Sequence, residues 1–133
     1  MEKRSEKLLK LLNELNVDGI FLTDLYNLRY FAGFTGTTGV ALATKKGNFF
    51  YSDFRYRSQA EAQVSKMGFE FKEVSRGSLK YVGEHAEELG LKKIGFEDNN
   101  VTFATYQKLK EIFKAELVPV GEKIMYERMV KSD

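Results

Sequence analysis

Four carboxylates in this sequence stand where an α/β protein does its chemistry. Asp24, Asp53 and the pair Glu97-Asp98 each follow a short apolar run with strand character, and the carboxyl edge of an open α/β sheet is where such folds bind ligands. Gathered there, three of them could hold Mg²⁺ for phosphoryl transfer or nuclease work. The same residues have a plainer use, because Asp ahead of a helix caps it and Asp after a strand turns the chain. A nuclease would also need a basic tract to hold its nucleic acid, and none is present.

Arg55 lies in the first turn of an expected helix, where the macrodipole disfavours a cation. Two arrangements fit it. Its planar donor fork could grip a carboxylate or carbonyl of a ligand, or it could pair locally with Asp53. His85, the single histidine, is flanked by Glu84 and Glu87 in an amphipathic stretch and reads as a surface or boundary residue. Without a second histidine or any cysteine, zinc sites of the usual composition are excluded. No Gly-x-Ser-x-Gly elbow accompanies His85, so serine–histidine catalysis has no scaffold. Gly33, Gly36 and Gly39 match neither common phosphate-loop spacing, and a tight turn lined by aromatic rings is the better reading.

The elements that must position these groups alternate in type. Leu8, Leu11, Leu12 and Leu15 make one apolar stripe on a helix over 2–16. A short buried strand follows at 17–23. Residues 27–38 crowd Tyr30, Phe31 and Phe34 beside glycines with no clean period, which predicts a structured loop. Two β-rich runs at 40–44 and 48–52 flank Lys45-Lys46-Gly47, a hairpin signal, so the sheet is not purely parallel. From Asp53 the period becomes helical, with Tyr56, Ala60, Val64 and Met67 on one face and Gly68 as the stop. A strand at 69–74 leads to a helix from Ser78 with Leu79, Val82, Ala86 and Leu89 inward, closed by Gly90. After a strand at 94–97, Thr102 caps a helix carrying Phe103, Tyr106, Leu109 and Phe113. A strand at 116–120 precedes a last helix from Gly121, with helical spacing at Ile124, Met125, Met129 and Val130. No residue signals its end, which fits truncation at a domain boundary or a natural terminus that frays. Strands alternating with helices imply crossovers and a mostly parallel sheet covered on both faces.

Composition sets the outer bounds. At 133 residues the chain is the size of one domain, with 43% apolar residues to fill a core and 30% charged residues to cover it. The 21 basic and 19 acidic residues leave a net charge of +2 with the signs interspersed, which argues against nucleic acid as a partner. The absence of cysteine fits a reducing compartment. The amino terminus is charged where a signal peptide is apolar, and no apolar run approaches the ~20 residues of a membrane span. The expectation is a cytoplasmic protein with no membrane partner.

Three segments together resemble one family. Asn27-Leu28-Arg29-Tyr30-Phe31-Ala32-Gly33-Phe34-Thr35-Gly36 resembles the Asn-x-x-Tyr-x-x-Gly-Phe-x-Gly segment in the amino-terminal domain of creatinase, prolidase and aminopeptidase P enzymes. Asp53-Phe54-Arg55-Tyr56 resembles their Asp-x-Arg-Tyr signature, reached after a hairpin. Arg128-Met129-Val130-Lys131-Ser132-Asp133 is similar to the Arg-x-(Ile/Val)-Lys-Ser stretch that leads into their catalytic domain.

The resemblance implies a three-layer α/β/α domain over residues 1–133 with a mixed sheet of ribonuclease H-like topology. It also implies a partner domain beyond Asp133 that binds two divalent metals, manganese or cobalt, through two Asp, one His and two Glu. That partner would hydrolyse peptide bonds preceding proline, while this domain by itself would bind no catalytic metal and cleave nothing. In the family the amino-terminal domain mediates dimer or tetramer contacts and reaches toward a neighbouring subunit's active site to limit substrate length. By motif position Asn27, Tyr30, Phe34, Arg55 and Tyr56 are the candidates for that substrate edge. Arg55 would touch the peptide main chain or carboxylate, and Tyr30 and Phe34 would wall the pocket or simply pack the loop. Family relatives with creatinase-type chemistry share the architecture, so fold alone does not choose the reaction. Two alternatives stay open: a stand-alone binding or oligomerisation module using the aromatic loop 26–34, and a Mg²⁺-dependent ribonuclease H-like nuclease using Asp24, Asp53 and Glu97.

Overall fold

Helix α1 (Arg4–Leu15) forms where the leucine stripe required it, with Leu8, Leu11 and Leu12 buried. This computed structural model describes residues 4–75 and 79–129. The expected starts of the first helix at Glu2 and of a later one at Ser78 lie outside them, as do Val130, Lys131, Ser132 and Asp133 of the closing motif.

Six strands build one sheet: β1 (Gly19–Leu22), β2 (Val40–Thr44), β3 (Gly47–Ser52), β4 (Glu70–Glu73), β5 (Lys93–Phe96) and β6 (Glu116–Pro119). Their order is β4-β3-β2-β1-β5-β6. Strand β2 runs antiparallel to both neighbours, β1 and β3, while β3–β4, β1–β5 and β5–β6 pair in parallel. This is the mixed α/β sheet that the hairpin and the alternating elements predicted, in the ribonuclease H-like arrangement of the resemblance.

Alternation along the strands sorts the core into two layers. Ile20 and Leu22 of β1, Ala41 and Ala43 of β2 and Phe50 of β3 face one side. There they meet α1, helix α3 (Arg57–Ser65) through Ala60 and Val64, and helix α6 (Gly121–Met129) through Ile124. Phe21, Leu42, Phe49, Tyr51 and Ile94 face the other side, against Val82 and Ala86 of α4 (Lys80–Glu88) and Leu109 of α5 (Phe103–Ile112). A shift of one residue in register would exchange these two sets, so the apolar pattern on both faces pins the pairing.

Two local expectations, the loop at 27–38 and the place of His85, are corrected, and the burial of α5 and α6 is sharpened. Residues 27–38 are not all loop: helix α2 (Leu25–Asn27) runs into a π-helical turn (Leu28–Ala32) that buries Leu28, Phe31 and Ala32. The wider π turn places those side chains off a 3.6 period, which is why no helix was legible. Gly33 at φ 77° closes that turn by donating its N–H to the Arg29 carbonyl at 3.1 Å. Phe103 is the first residue of α5 and is 75% exposed. Tyr106 of the same helix stacks on Phe96, the ring centroids 5.3 Å apart. Among the periodic residues described in α6, Ile124 alone is buried, and Met125 and Met129 face outward. His85 is buried rather than at the surface, its Nδ1 2.7 Å from the Tyr51 hydroxyl.

Candidate functional site

The carboxylates singled out above do stand at the carboxyl ends of β1, β3 and β5, and each is committed to holding the chain. Glu97 is almost fully buried. Its Oε1 accepts from the Thr23 amide at 2.6 Å, the Thr23 hydroxyl at 2.8 Å and the Asp24 amide at 2.8 Å. Its Oε2 accepts from Asn27 Nδ2 at 2.6 Å. A carboxylate that accepts four donors needs no cation beside it to remain buried. Glu97 thereby ties the end of β5 to the end of β1 and to α2. Asp24 caps α2 by accepting from the Tyr26 amide, and Asp98 accepts from the Gly121 amide at the start of α6.

Asp53 and Arg55 form the second knot. Asp53, also buried, starts a 3₁₀ turn (Phe54–Tyr56) by accepting the Arg55 amide at 3.0 Å. The Arg55 side chain folds back on the same carboxylate, Nε to Oδ1 at 2.8 Å and Nη2 to Oδ2 at 2.9 Å. The local ion pair therefore exists, and it raises the guanidinium above its ordinary pKa through the hydrogen bond to Asp53. It does not exhaust Arg55. A guanidinium carries five N–H groups, so among the described residues the Nη1 end of the fork is left to reach another acceptor, with its orientation set by the bonds to Asp53.

Tyr56 continues the same edge. Its hydroxyl lies 2.7 Å from the Thr37 hydroxyl, and that bond lowers the phenol from its ordinary pKa, helped by the charge of Arg55. Phe34 is fully buried between Phe50, at a centroid distance of 4.5 Å, and Tyr56, at 5.6 Å. A Cβ on Gly36 would strike the Phe34 ring, so this glycine serves close packing of aromatic rings, as the turn reading expected. Tyr30 faces α1: Lys7 Nζ donates to its hydroxyl at 2.7 Å, and the Arg4 guanidinium lies 4.3 Å over its ring. Of the five candidate residues, Arg55 and Tyr56 thus share one edge with Phe34 beneath them. Asn27 is buried under Glu97, and Tyr30 belongs to the contact with α1.

Beside Asp53 opens a cleft of about 450 Å³ at the carboxyl edge, bordered by Thr23, Leu25, Thr38, Ser52 and Leu79 among others. Hydroxyls and apolar side chains line it, and its one carboxylate is the Asp53 already gripped by Arg55. Such a lining suits binding better than proton transfer, since among the described residues no group there is placed as a general base for a nucleophile. Among the described residues no three His, Asp or Glu side chains form a group that could hold a metal. The three carboxylates of the nuclease alternative have structural partners: Asp24 the Tyr26 amide, Asp53 the Arg55 amide and guanidinium, and Glu97 the Thr23 and Asp24 amides, the Thr23 hydroxyl and Asn27.

Sequence reasoning missed the role of Glu97 as a clip and the pairing of Tyr51 with His85. Burial of a glutamate directly after a β-strand, with an asparagine and two amides in reach, is visible only once β1 and β5 are adjacent.

The comparisons with known proteins bear on the family and the fold. The sequence model of the creatinase/prolidase N-terminal domain matches residues 4–130. The "Uncharacterized peptidase YqhT" of Bacillus subtilis is 39% identical over 128 residues, which is 96% of this chain and 36% of that protein. The Xaa-Pro dipeptidase of Bacillus anthracis superposes with a TM-score of 0.88 at 37% identity, covering 98% of this chain and 36% of that one. The crystal structure of the N-terminal domain of the cytoplasmic peptidase PepQ from Mycobacterium tuberculosis H37Rv gives 0.81 at 28% identity, covering 95% of this chain and 99% of that one. This chain therefore spans about a third of the length of the two Bacillus relatives and nearly all of a solved N-terminal domain. A match that runs from the first described residue to beyond the last, on the same fold, makes this chain a member of the creatinase/prolidase N-terminal domain family.

Proposed function

We propose that this chain is the non-catalytic amino-terminal domain of an Xaa-Pro peptidase of the prolidase or aminopeptidase P type. The observation that carries this reading is the likeness, over 98% of the chain at 37% identity, to a protein described as an Xaa-Pro dipeptidase. In this reading hydrolysis next to proline belongs to a carboxy-terminal domain with two divalent metals, manganese or cobalt. The residues described here offer no ligand set for them.

The role left to this domain is to shape the substrate edge and support a homodimer or higher oligomer. Arg55 is suited to the first task, because Asp53 fixes its fork and leaves Nη1 for a peptide carbonyl or carboxylate. Tyr56 stands beside it, its ring 5.4 Å from the guanidinium carbon. Phe34 packs against the Tyr56 ring, and Asn27 and Tyr30 hold the preceding segment in place. A cytoplasmic location fits the description of PepQ as a cytoplasmic peptidase, and no helix among the described residues is long and apolar enough to cross a membrane.

The test is direct. The polypeptide that continues past Asp133 is assayed on Xaa-Pro dipeptides and on longer peptides with proline second, with Mn²⁺ or Co²⁺ supplied and then removed by chelation. The proposal expects metal-dependent cleavage by the longer polypeptide and none by residues 1–133. Cleavage of peptides without proline at equal rates would sink it.

A further inference from the structure

Lys7 is a buried lysine without a carboxylate. It is 7% exposed, on the side of α1 that meets the π-helical turn, and its Nζ donates to the Tyr30 hydroxyl at 2.7 Å. Among the described residues no Asp or Glu pairs with it. Glu6 is its neighbour in sequence but projects about 100° further round the helix. A buried ammonium is costly to keep unless an opposite charge stands beside it, and contact with an aromatic ring offsets only part of that cost. Elsewhere the fold matches its inward-turned charges, as it does Asp53 with Arg55 and Glu97 with four donors.

The same imbalance extends to Arg4, one turn earlier on α1. Its guanidinium lies 4.3 Å over the Tyr30 ring and donates from Nη1 to the Tyr30 carbonyl at 3.2 Å. Arg4 too has no acidic partner among the described residues. Lys7 Nζ is 5.3 Å from the centroid of the same ring, so two cations share one tyrosine. The Tyr30 oxygen accepts from Lys7, which leaves its own O–H proton to donate, and no described residue receives it. Both cations stand in the first turns of α1, the end of a helix that favours negative charge.

We propose that Arg4, Lys7 and Tyr30 form a binding site for a phosphate-class dianion, whether the free ion or the phosphoryl group of a small ligand. Two positive charges are balanced by one group that carries about two negative charges near neutral pH and offers several acceptor oxygens. A carboxylate, with one charge, would leave one cation unmatched. Lys7 supplies the charge at the floor, Arg4 closes over it from the exposed side, and the Tyr30 O–H is the third donor. None of the three lines the cleft beside Asp53, and the inference does not depend on the peptidase reading.

The probe is inorganic phosphate, titrated into this chain at constant ionic strength in chloride and followed by amide chemical shifts and thermal midpoint. The expected result is saturable shifts at residues 4–8 and 29–31 with a dissociation constant of about 1 mM or tighter, and a midpoint that rises with phosphate and not with chloride. Lys7→Met, which keeps a long stem in the buried place, should weaken phosphate about tenfold or more, and Tyr30→Phe about threefold. Arg4→Gln, at an exposed position, should weaken it about fivefold or more while leaving the circular dichroism unchanged. Without phosphate, Lys7→Met should hold or raise the midpoint, because it removes a buried charge that has no partner; with phosphate the native chain should overtake it. A midpoint lowered equally by Lys7→Met with and without phosphate overturns the proposal, since Lys7 would then serve the Tyr30 hydroxyl alone. Absence of saturation below about 10 mM phosphate overturns it too, as does acetate binding as tightly as phosphate. Glycerol phosphate binding tighter than inorganic phosphate supports the site with a phosphoryl ligand, and the reverse order supports it with the free ion.

Discussion

Asn27 Nδ2 donates a 2.6 Å hydrogen bond to Glu97 Oε2 across 70 residues of chain, joining the first residue of the family-like motif to the end of a strand in the second half of the domain. Asn27 Oδ1, turned away from the carboxylate, is buried without a hydrogen-bond partner among the described residues. The amide orientation follows from charge: an oxygen facing Glu97 would be repelled, so the donor faces it.

Removing that carboxylate strands four donors. Glu97→Ala should cost about 3 kcal/mol or more in urea denaturation, because the Thr23 and Asp24 amides, the Thr23 hydroxyl and Asn27 Nδ2 all lose their acceptor in a buried place. Glu97→Gln should cost less, about 1–2 kcal/mol, since the new carbonyl can keep the three donors of Oε1 and Asn27 can turn its unpartnered oxygen toward the new amide. Equal losses for the two variants would show that charge, not acceptor count, matters here.

Gly33→Ala should destabilise by about 1–2 kcal/mol for the left-handed conformation at φ 77° alone. A Cβ there would also lie 2.8 Å from Met67 Cγ, though that flexible side chain can move. The measurement is the urea midpoint, with Met67→Ala in the same chain expected to recover none of the conformational part.

Stability should fall on acidification through His85. Burial, then the nearby Lys72, lower its pKa from the ordinary 6.5, against smaller opposing effects of Glu88 and Glu70. The unfolded chain thus binds the proton more readily, so the contribution is full above about pH 6.5 and is lost as pH falls from there toward the lowered folded value. Tyr51 does not titrate in this range, because burial pushes its phenol far above the usual value. Urea midpoints at pH 7.5 and about 5.5 should differ more for the native chain than for His85→Gln. An identical difference in both would place the pH dependence elsewhere.

Arg55→Ala should lower the urea midpoint of residues 1–133, since Asp53 stays buried with the backbone amide but without the two guanidinium bonds. Arg55→Lys should recover part of the charge and none of the two-point geometry. In the longer polypeptide the same Arg55→Ala is expected to raise KM for Xaa-Pro peptides about tenfold or more, the loss of a charge-assisted bond, while cleavage remains. An unchanged KM would confine Arg55 to its pairing with Asp53.

Much of this molecule was settled by short-range information. The leucine stripe of α1, the hairpin at Lys45-Lys46-Gly47 and the Thr102 cap, which accepts the Thr105 amide at 3.1 Å, each depend on residues a few positions apart. Local spacing was enough for these because helical and strand periods, caps and tight turns are properties of neighbouring residues. The three family-like segments were legible for the same reason. What only the tertiary structure decided involves partners far apart in the chain. Glu97 became a clip because β1 and β5 lie side by side, bringing Thr23 within 2.6 Å of a residue 74 positions away. His85 became a buried partner of Tyr51 because α4 packs on β3, and Met125, Tyr126 and Met129 became a surface because Ile124 alone of that group met the core. A periodic pattern says that a helix has an apolar face; which face, and against what, is set by the packing of the whole chain.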